Sequence, residues 1–246
     1  MSITRWLVIA FFIASGLGLP GCGSGSSTDG GVDAGSDAPP SACPGQLLFT
    51  GEYLDWDNPQ SFMGVLDAMV TEVANPSNSD TTAHNGRSTL CLPAGITSYV
   101  DFTHDTYIDI RFTVSPDAIA KGPYSVEGLT DARAGQVFTQ IGRTFDSARA
   151  QVLIAIYDYS GNRPAIGATA TVDNNNEGGF VDDGTGASAQ GTELTDDQFV
   201  FFANVDIGGG TTPVTVTPPT GKTCVGPPEI QLVAGQIAAT AFACTD

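Results

Sequence analysis

The strongest hydrophobic patterning lies in QVLIAIY, residues 151–157, which runs into a turn and then into the alternating stretch ATATV, residues 168–172. A short apolar run bounded by turn residues predicts a buried strand, and strict alternation predicts a half-buried one. The clearest alternation is TYIDIRFTV, residues 106–114. There Ile108, Ile110, Phe112 and Val114 share one face, while Asp109, Arg111 and Thr113 share the other. Residues 47–49, 99–103, 199–205, 213–217, 229–234 and 237–244 read as further strands. VLDAMVTEV, residues 65–73, has the composition of a helix, but it aligns with ATATV and is read as a strand. Asn85-Gly86 between strand formers predicts a type I′ hairpin, whose two central residues need positive φ.

Helical periodicity is confined to one region. Residues 116–122 open on Pro116 and close on Gly122, as a short helical segment does. In residues 130–141, Val137, Phe138 and Ile141 form an apolar face, and Gly135 costs that helix about 1 kcal/mol. Residues 116–147 therefore read as a helical connector packed on one or both of its neighbours.

The strand–turn–strand unit occurs twice. Asp55-Trp56 matches Asp158-Tyr159, and a glycine follows each Asp by nine positions, Gly64 and Gly167. Further on, Leu92-Pro93-Ala94-Gly95 matches Val205-Asp206-Ile207-Gly208. The second copy is longer, and the extra length falls in an Asp/Asn/Gly-rich insert, residues 173–197. This divides the chain into β-domains at residues 43–115 and 148–246.

The residues Gly64, Thr82, Asn85-Gly86, Leu92-Pro93 and Gly95 of the first copy resemble the carboxypeptidase regulatory-like domain. So do Ser160-Gly161, Pro164, Ile166-Gly167-Ala168, Phe201, Asn204-Val205 and Gly208 of the second, where Gln198-Phe199 replaces the Asn-Gly turn. The resemblance implies an all-β chain of two tandem transthyretin-like, Ig-like Greek-key sandwiches. It also implies an accessory, surface or carbohydrate-associated role. It does not imply carboxypeptidase activity, because that family's zinc domain is a separate unit.

The N-terminus changes the picture from domain to address. Arg5 precedes an apolar run, residues 6–19, too short and too Gly-rich at its end for a comfortable membrane span. Leu19-Pro20-Gly21-Cys22 resembles the bacterial lipoprotein lipobox. That implies cleavage after residue 21, lipid on Cys22, and a lipid-anchored protein of the cell envelope; an ordinary secretory leader is the alternative. Residues 22–42 are Gly, Ser, Asp and Pro with little to bury, a disordered tether of about 25 Å root-mean-square reach.

With a net charge of −18, the chain repels phosphate backbones, which excludes nucleic acid and favours divalent cations or basic partners. Beyond Cys22 there are four cysteines, and an even number in an exported chain argues for two disulfides. The repeat boundary favours Cys43–Cys91 and Cys224–Cys244. No zinc-hydrolase, nucleophile-elbow or phosphate-loop motif occurs, so the sequence reads as non-enzymatic. His84 belongs to a turn. His104, beside Asp105, reads as a surface residue or a metal ligand. Asp173, Asn175 and Glu177 alternate ahead of Gly178 as in the first half of a Ca²⁺ loop, and Asp182 and Asp183 offer further oxygens. Weak Ca²⁺ binding and a solvated interaction loop are the two readings of this insert; no other cofactor is implied. Trp56 and Tyr159 are candidates for stacking on a carbohydrate or for packing on the sandwich ends. The partners expected are the membrane, through the lipid, and an envelope protein or a carbohydrate.

Overall fold

The computed structural model describes residues 43–56, 64–115, 124–159, 163–182 and 188–246. The leader, the tether with Cys22, the expected helical segment 116–122 and Asp183 lie outside the described residues.

Among the described residues the chain is all-β with one helix. Domain one contains β1 (Gln46–Asp55), β2 (Met69–Glu72), β3 (Ser79–Thr81), β4 (Arg87–Pro93), β5 (Ser98–Thr103), β6 (Ile110–Val114) and β7 (Tyr124–Gly128). β1 is the centre of one sheet, antiparallel to β4 and parallel to β7; the facing sheet runs β3, β2, β5, β6. Phe49, Tyr53, Leu90 and Val126 from the first sheet meet Val70, Phe102, Ile110 and Phe112 from the second. Two expectations fail locally. Only the last part of residues 65–73 is strand, because the chain first turns through Asp67 at φ 60°. Asn85-Gly86 is not a type I′ hairpin: of the pair only Gly86 has positive φ, and β3 and β4 belong to different sheets. Gly86 is required for another reason as well. A Cβ on Gly64 would lie 2.0 Å from the Gly86 Cα, so the two glycines let these backbones cross.

Domain two repeats the plan with β8 (Ala150–Asp158), β9 (Arg163–Pro164), β10 (Thr169–Val172), β11 (Gly179–Asp182), β12 (Ser188–Gln190), β13 (Phe199–Val205), β14 (Thr211–Thr217), β15 (Thr223–Val225), β16 (Glu229–Gln231) and β17 (Ile237–Thr245). β8 lies between antiparallel β13 and parallel β17, as β1 lies between β4 and β7. The second sheet runs β10, β14, β16. Short β9 and β15 pair with β8 and β17. The equivalence extends to single bonds: Trp56 donates its N–H to the Gly128 carbonyl, and Tyr159 donates to Cys244. Leu92 lies opposite Leu47 as Val205 lies opposite Ala150. The glycine match is corrected. Val65 donates to Tyr53 and Ala165 to Ile156, so Gly64 corresponds to Pro164, and Gly167 at φ 85° corresponds to Asp67. The first loop of domain one is longer by the difference. Both expected disulfides form, Cys43–Cys91 in domain one and Cys224–Cys244 in domain two.

The connector is only partly helical. Its residues 124–128 are β7, an integral strand of domain one. The helix α1 (Asp131–Gln140) follows, capped by the Thr130 hydroxyl, which accepts from the Arg133 N–H at 3.2 Å. It ends in a Schellman turn: Gly142 at φ 69° donates to Thr139, and Arg143 donates to Phe138. Ala134 and Val137 join the core of domain one, whereas Phe138 packs on Phe180 and Ala203 of domain two.

The insert is not the open loop its composition suggests. β11 and β12 extend the β8 sheet through β13, and Phe180, Val181 and Leu194 are buried. Asp173, Glu193 and Asp196 are exposed on a scaffold whose apolar residues are part of the core, whereas the Glu177 carboxylate turns inward to Asn204.

The domains do not hang as separate beads. β17 runs parallel to β6, with Ile237 beside Ile110 and Thr240 beside Thr113, so the sheets of the two domains continue into one another. Ile237 donates its N–H to Asp109 at 3.0 Å, and the Thr240 hydroxyl donates to the Thr113 carbonyl at 3.0 Å. Alternation along β17 explains the rest. Ala238, Phe242 and Cys244 face the core of domain two, while Ile237 and Ala239 face that of domain one. Leu153 on β8 does the same, with Phe199 and Phe201 of β13 packed beside it. One face of the β8 sheet thus completes the core of domain one.

Candidate functional site

The densest polar arrangement lies where the α1–β8 loop meets β13. β13 reads FVFFANV, an apolar strand with one asparagine, and its register against β8 shifts between Phe202 and Val205. The bulge carries Asn204 at φ 49°, a left-handed conformation that Asn tolerates better than most residues. Asn204 is 1% exposed, yet every polar atom is engaged. Its Oδ1 accepts from the Asp146 N–H and from Gln151 Nε2, both at 3.1 Å. Its Nδ2 donates to the Thr144 carbonyl at 2.7 Å and to Glu177 Oε2 at 3.0 Å. Its N–H donates to Gln151 Oε1 at 2.8 Å, and its carbonyl accepts from Arg149 at 3.0 Å.

Around this hub the charges alternate. Arg149 lies 3.2 Å from Asp206, 3.5 Å from Asp146 and 4.0 Å from Glu177. Arg143 donates to the Glu177 carbonyl at 2.9 Å and sits 5.7 Å above the Phe180 ring. The loop and these side chains line an open cleft of about 620 Å³. Its polar groups are directed at one another, so the arrangement clamps the connector to domain two. Of these residues only Glu177 was read from the sequence as a site residue; Asn204 and Asp206 entered only as positions of the repeat and the family pattern. A lone Asn inside FVFFANV was the available signal, because a buried amide needs several partners and a bulge supplies them.

Of the residues expected to form a Ca²⁺ site, the four that are described do not converge. Asp173 is exposed and its N–H donates to Pro213; Asn175 donates to Asp206 at 3.2 Å; the Glu177 carboxylate is taken by Asn204 and the arginines; Asp182 ends β11. Among the described residues, no group of three or more His, Cys, Asp or Glu side chains is placed to hold a metal ion. Trp56 is half-buried and packs against the core of domain one, so its equivalence with Tyr159 is one of strand ends.

A second, smaller cleft of about 240 Å³ opens at the same end of domain one, lined by Asp55, Val65, Leu66, His104, Thr106 and Tyr107. His104 and Tyr107 meet edge to face at 5.2 Å, and His104 Nδ1 accepts from the Thr106 N–H at 3.3 Å. His84 is an exposed turn residue whose carbonyl accepts from Gly64.

No family model matches the sequence, and no curated protein does. Among solved structures, similarity extends to the major pilin protein T-13 of Streptococcus pyogenes, at 11% identity over 81% of this chain and 96% of that one, with a TM-score of 0.24. It extends also to a streptococcal ancillary pilin, at 12% identity over 80% and 68% with a TM-score of 0.29. The minor pilin of Streptococcus agalactiae aligns at 9% identity over 81% and 95%, with a TM-score of 0.27. Superpositions this slight transfer nothing to this chain, and its function is argued from its own residues.

Proposed function

We propose that this chain is a lipid-anchored protein of the bacterial cell envelope, whose two sandwiches of carboxypeptidase regulatory-like type bind or scaffold without catalysis. The observation that carries the reading is the seam. Two repeats that both contribute to the core of domain one and share one continuous sheet form a stiff body, and a stiff body holds its end loops at fixed separation. Scaffolding and multi-point binding need that property, because rigid presentation lowers the ordering cost of association. The polar groups of the larger cleft support the same reading, since they are spent on holding the connector.

The lipobox-like Leu19-Pro20-Gly21-Cys22 and the tether supply the anchor. Two or more acyl chains, at about 0.8 kcal/mol per buried CH₂, hold a protein stably on a membrane. Fractionation with labelled fatty acid tests it: the wild-type chain incorporates label and sediments with membranes, and Cys22→Ser does neither. A Cys22→Ser chain that matures and partitions as the wild type does would remove the anchor from the proposal.

A second reading, an accessory carbohydrate-binding component of an envelope enzyme system, is favoured by the smaller cleft. Its ring pair, His104 and Tyr107, borders a carboxylate, Asp55, whose neighbour is Trp56. Soluble cell-wall glycans that quench Trp56 fluorescence at saturable concentration would favour this reading over scaffolding alone.

A further inference from the structure

β17 is the strand on which both domains close. On one side it pairs with β8 from Ile237 to Cys244. On the other it pairs with β6 from Ile237 to Thr240, and then with β15 from Ala243 to Thr245. Ile237 and Ala239 belong to the core of domain one, and Ala238, Phe242 and Cys244 to that of domain two. Without β17 a slot would lie open between β6 and β8, with an unfinished core on each wall. A strand apolar on both faces is what such a slot accepts, and β17 is buried on both.

Covalent bonds hold β17 in the slot at both ends. Its N-terminal end continues from β16 through residues 232–236, a turn that passes Gly235 at φ 74°. Near its C-terminal end Cys244 is bonded to Cys224, its ladder partner on β15. That bond encloses the whole of β16, which pairs with β14 and buries Ile230 in the core of domain two. β17 therefore cannot pass to another molecule unless β15 and β16 are pulled out with it. Without the bond, β17 is joined to the rest of the chain by the turn at Gly235, a residue free to adopt an extended conformation instead. β15 is three residues long, so its ladder bonds by themselves are a weak hold.

We propose that Cys224–Cys244 is the lock that keeps β17 in its own chain, and that without this bond the slot between β6 and β8 docks β17 of a second copy. Exchange of the strand re-forms the same ladders and the same core contacts in the partner, and reciprocal exchange closes as a two-fold dimer. The chain's own strand competes with the incoming one at a millimolar effective concentration. Exchange is therefore negligible in dilute solution and grows as chains fold near that concentration. Cys43–Cys91 has no such role. It joins the residues ahead of β1 to β4, in the sheet that β17 does not enter.

The test is co-refolding of tagged and untagged full chains at about 1 mM. All carry Cys22→Ser, which leaves only the cysteines of the two bonds. With Cys224→Ser and Cys244→Ala, the tagged chain is expected to retain about tenfold more untagged chain than it does with both bonds intact. An excess of a peptide of residues 235–246 bearing Cys244→Ala should displace that partner. Cys43→Ala with Cys91→Ala controls for the stability that any lost disulfide removes, and should behave as the intact chain. Equal retention by both bond-deleted chains, retention that the peptide leaves unchanged, or no retention by the Cys224→Ser/Cys244→Ala chain would overturn the proposal. Should that last variant not fold, the Cys43→Ala/Cys91→Ala chain is folded first, and its remaining bond is then reduced with a dithiol in the presence of the labelled peptide. Uptake of the peptide supports the lock, and its exclusion overturns it.

Discussion

A mutation in domain two should be felt by Trp56, which lies in domain one. The sequence holds two tryptophans, Trp6 outside the described residues and Trp56 at the end of β1. Ile237 opens β17, near the end of the chain, but its side chain is buried in the core of domain one. It is 3% exposed and lies beside Ile110 and Gln151 in the parallel ladder. Truncating a buried Ile to Ala costs about 2–5 kcal/mol, through lost transfer energy and the cavity left behind. If the seam makes both domains one cooperative unit, the midpoint falls by roughly 4–20 °C, at about 2–4 °C per kcal/mol for a body of this size. Trp56 fluorescence and far-UV circular dichroism should then report one coincident transition. Ile230→Ala is the control. Ile230 is fully buried on β16, within the core of domain two. In a cooperative body it too lowers the Trp56 midpoint. Had the domains melted separately, Ile230→Ala would leave Trp56 untouched while circular dichroism showed an earlier phase. That split would refute the shared core as an energetic unit.

Two further outcomes follow from the same geometry. Asn204→Ala should cost about 3–5 kcal/mol, because it leaves Gln151 Nε2, the Asp146 N–H and the Thr144 carbonyl without their side-chain partner; a loss below about 1 kcal/mol in chemical denaturation would show the clamp to be incidental. Tyr53 is fully buried with no hydrogen-bond partner for its hydroxyl, so Tyr53→Phe should raise stability by about 1 kcal/mol, and a clear decrease would reveal a partner for that oxygen.

Much of the fold was legible because each signal was local. The alternation in residues 106–114 yields β6, the Asp55 and Asp158 copies mark equivalent strand ends, and the repeat boundary favoured the disulfides that form. The continuous apolar run of β8 and the small, apolar β17 carried a further message. A strand that is apolar on both faces is covered on both faces. What covers the second face of each is domain one, and periodicity within a strand cannot name its partner. Length misled at the first loop, where counting from the Asp placed Gly167 against Gly64 although its conformation matches Asp67. Composition misled at the insert. Its acids and glycines outnumber Phe180, Val181 and Leu194, but those three are buried and decide its packing. The clamp was not legible because Arg143, Glu177 and Asn204 are far apart in sequence and meet only through a bulge.

The charge distribution gives these separate features a common cause. The chain carries 27 acids against 9 bases, so its surface repels itself and any joint between domains tends to open. Three of the bases are placed at the joint. Arg143 and Arg149 hold the connector, and Arg111 on β6 grips Asp101 with two bonds of 2.7 Å and reaches across to Gln231 on β16 at 2.9 Å. The fork of a guanidinium suits this work better than a Lys ammonium, since one rigid group satisfies partners from both domains. Ion pairs that stay partly open to water add little each, so the apolar face of β8 and β17 must supply most of the adhesion, and the arginines fix its register. Screening by salt should therefore weaken this self-repulsion and strengthen the docking of the two domains.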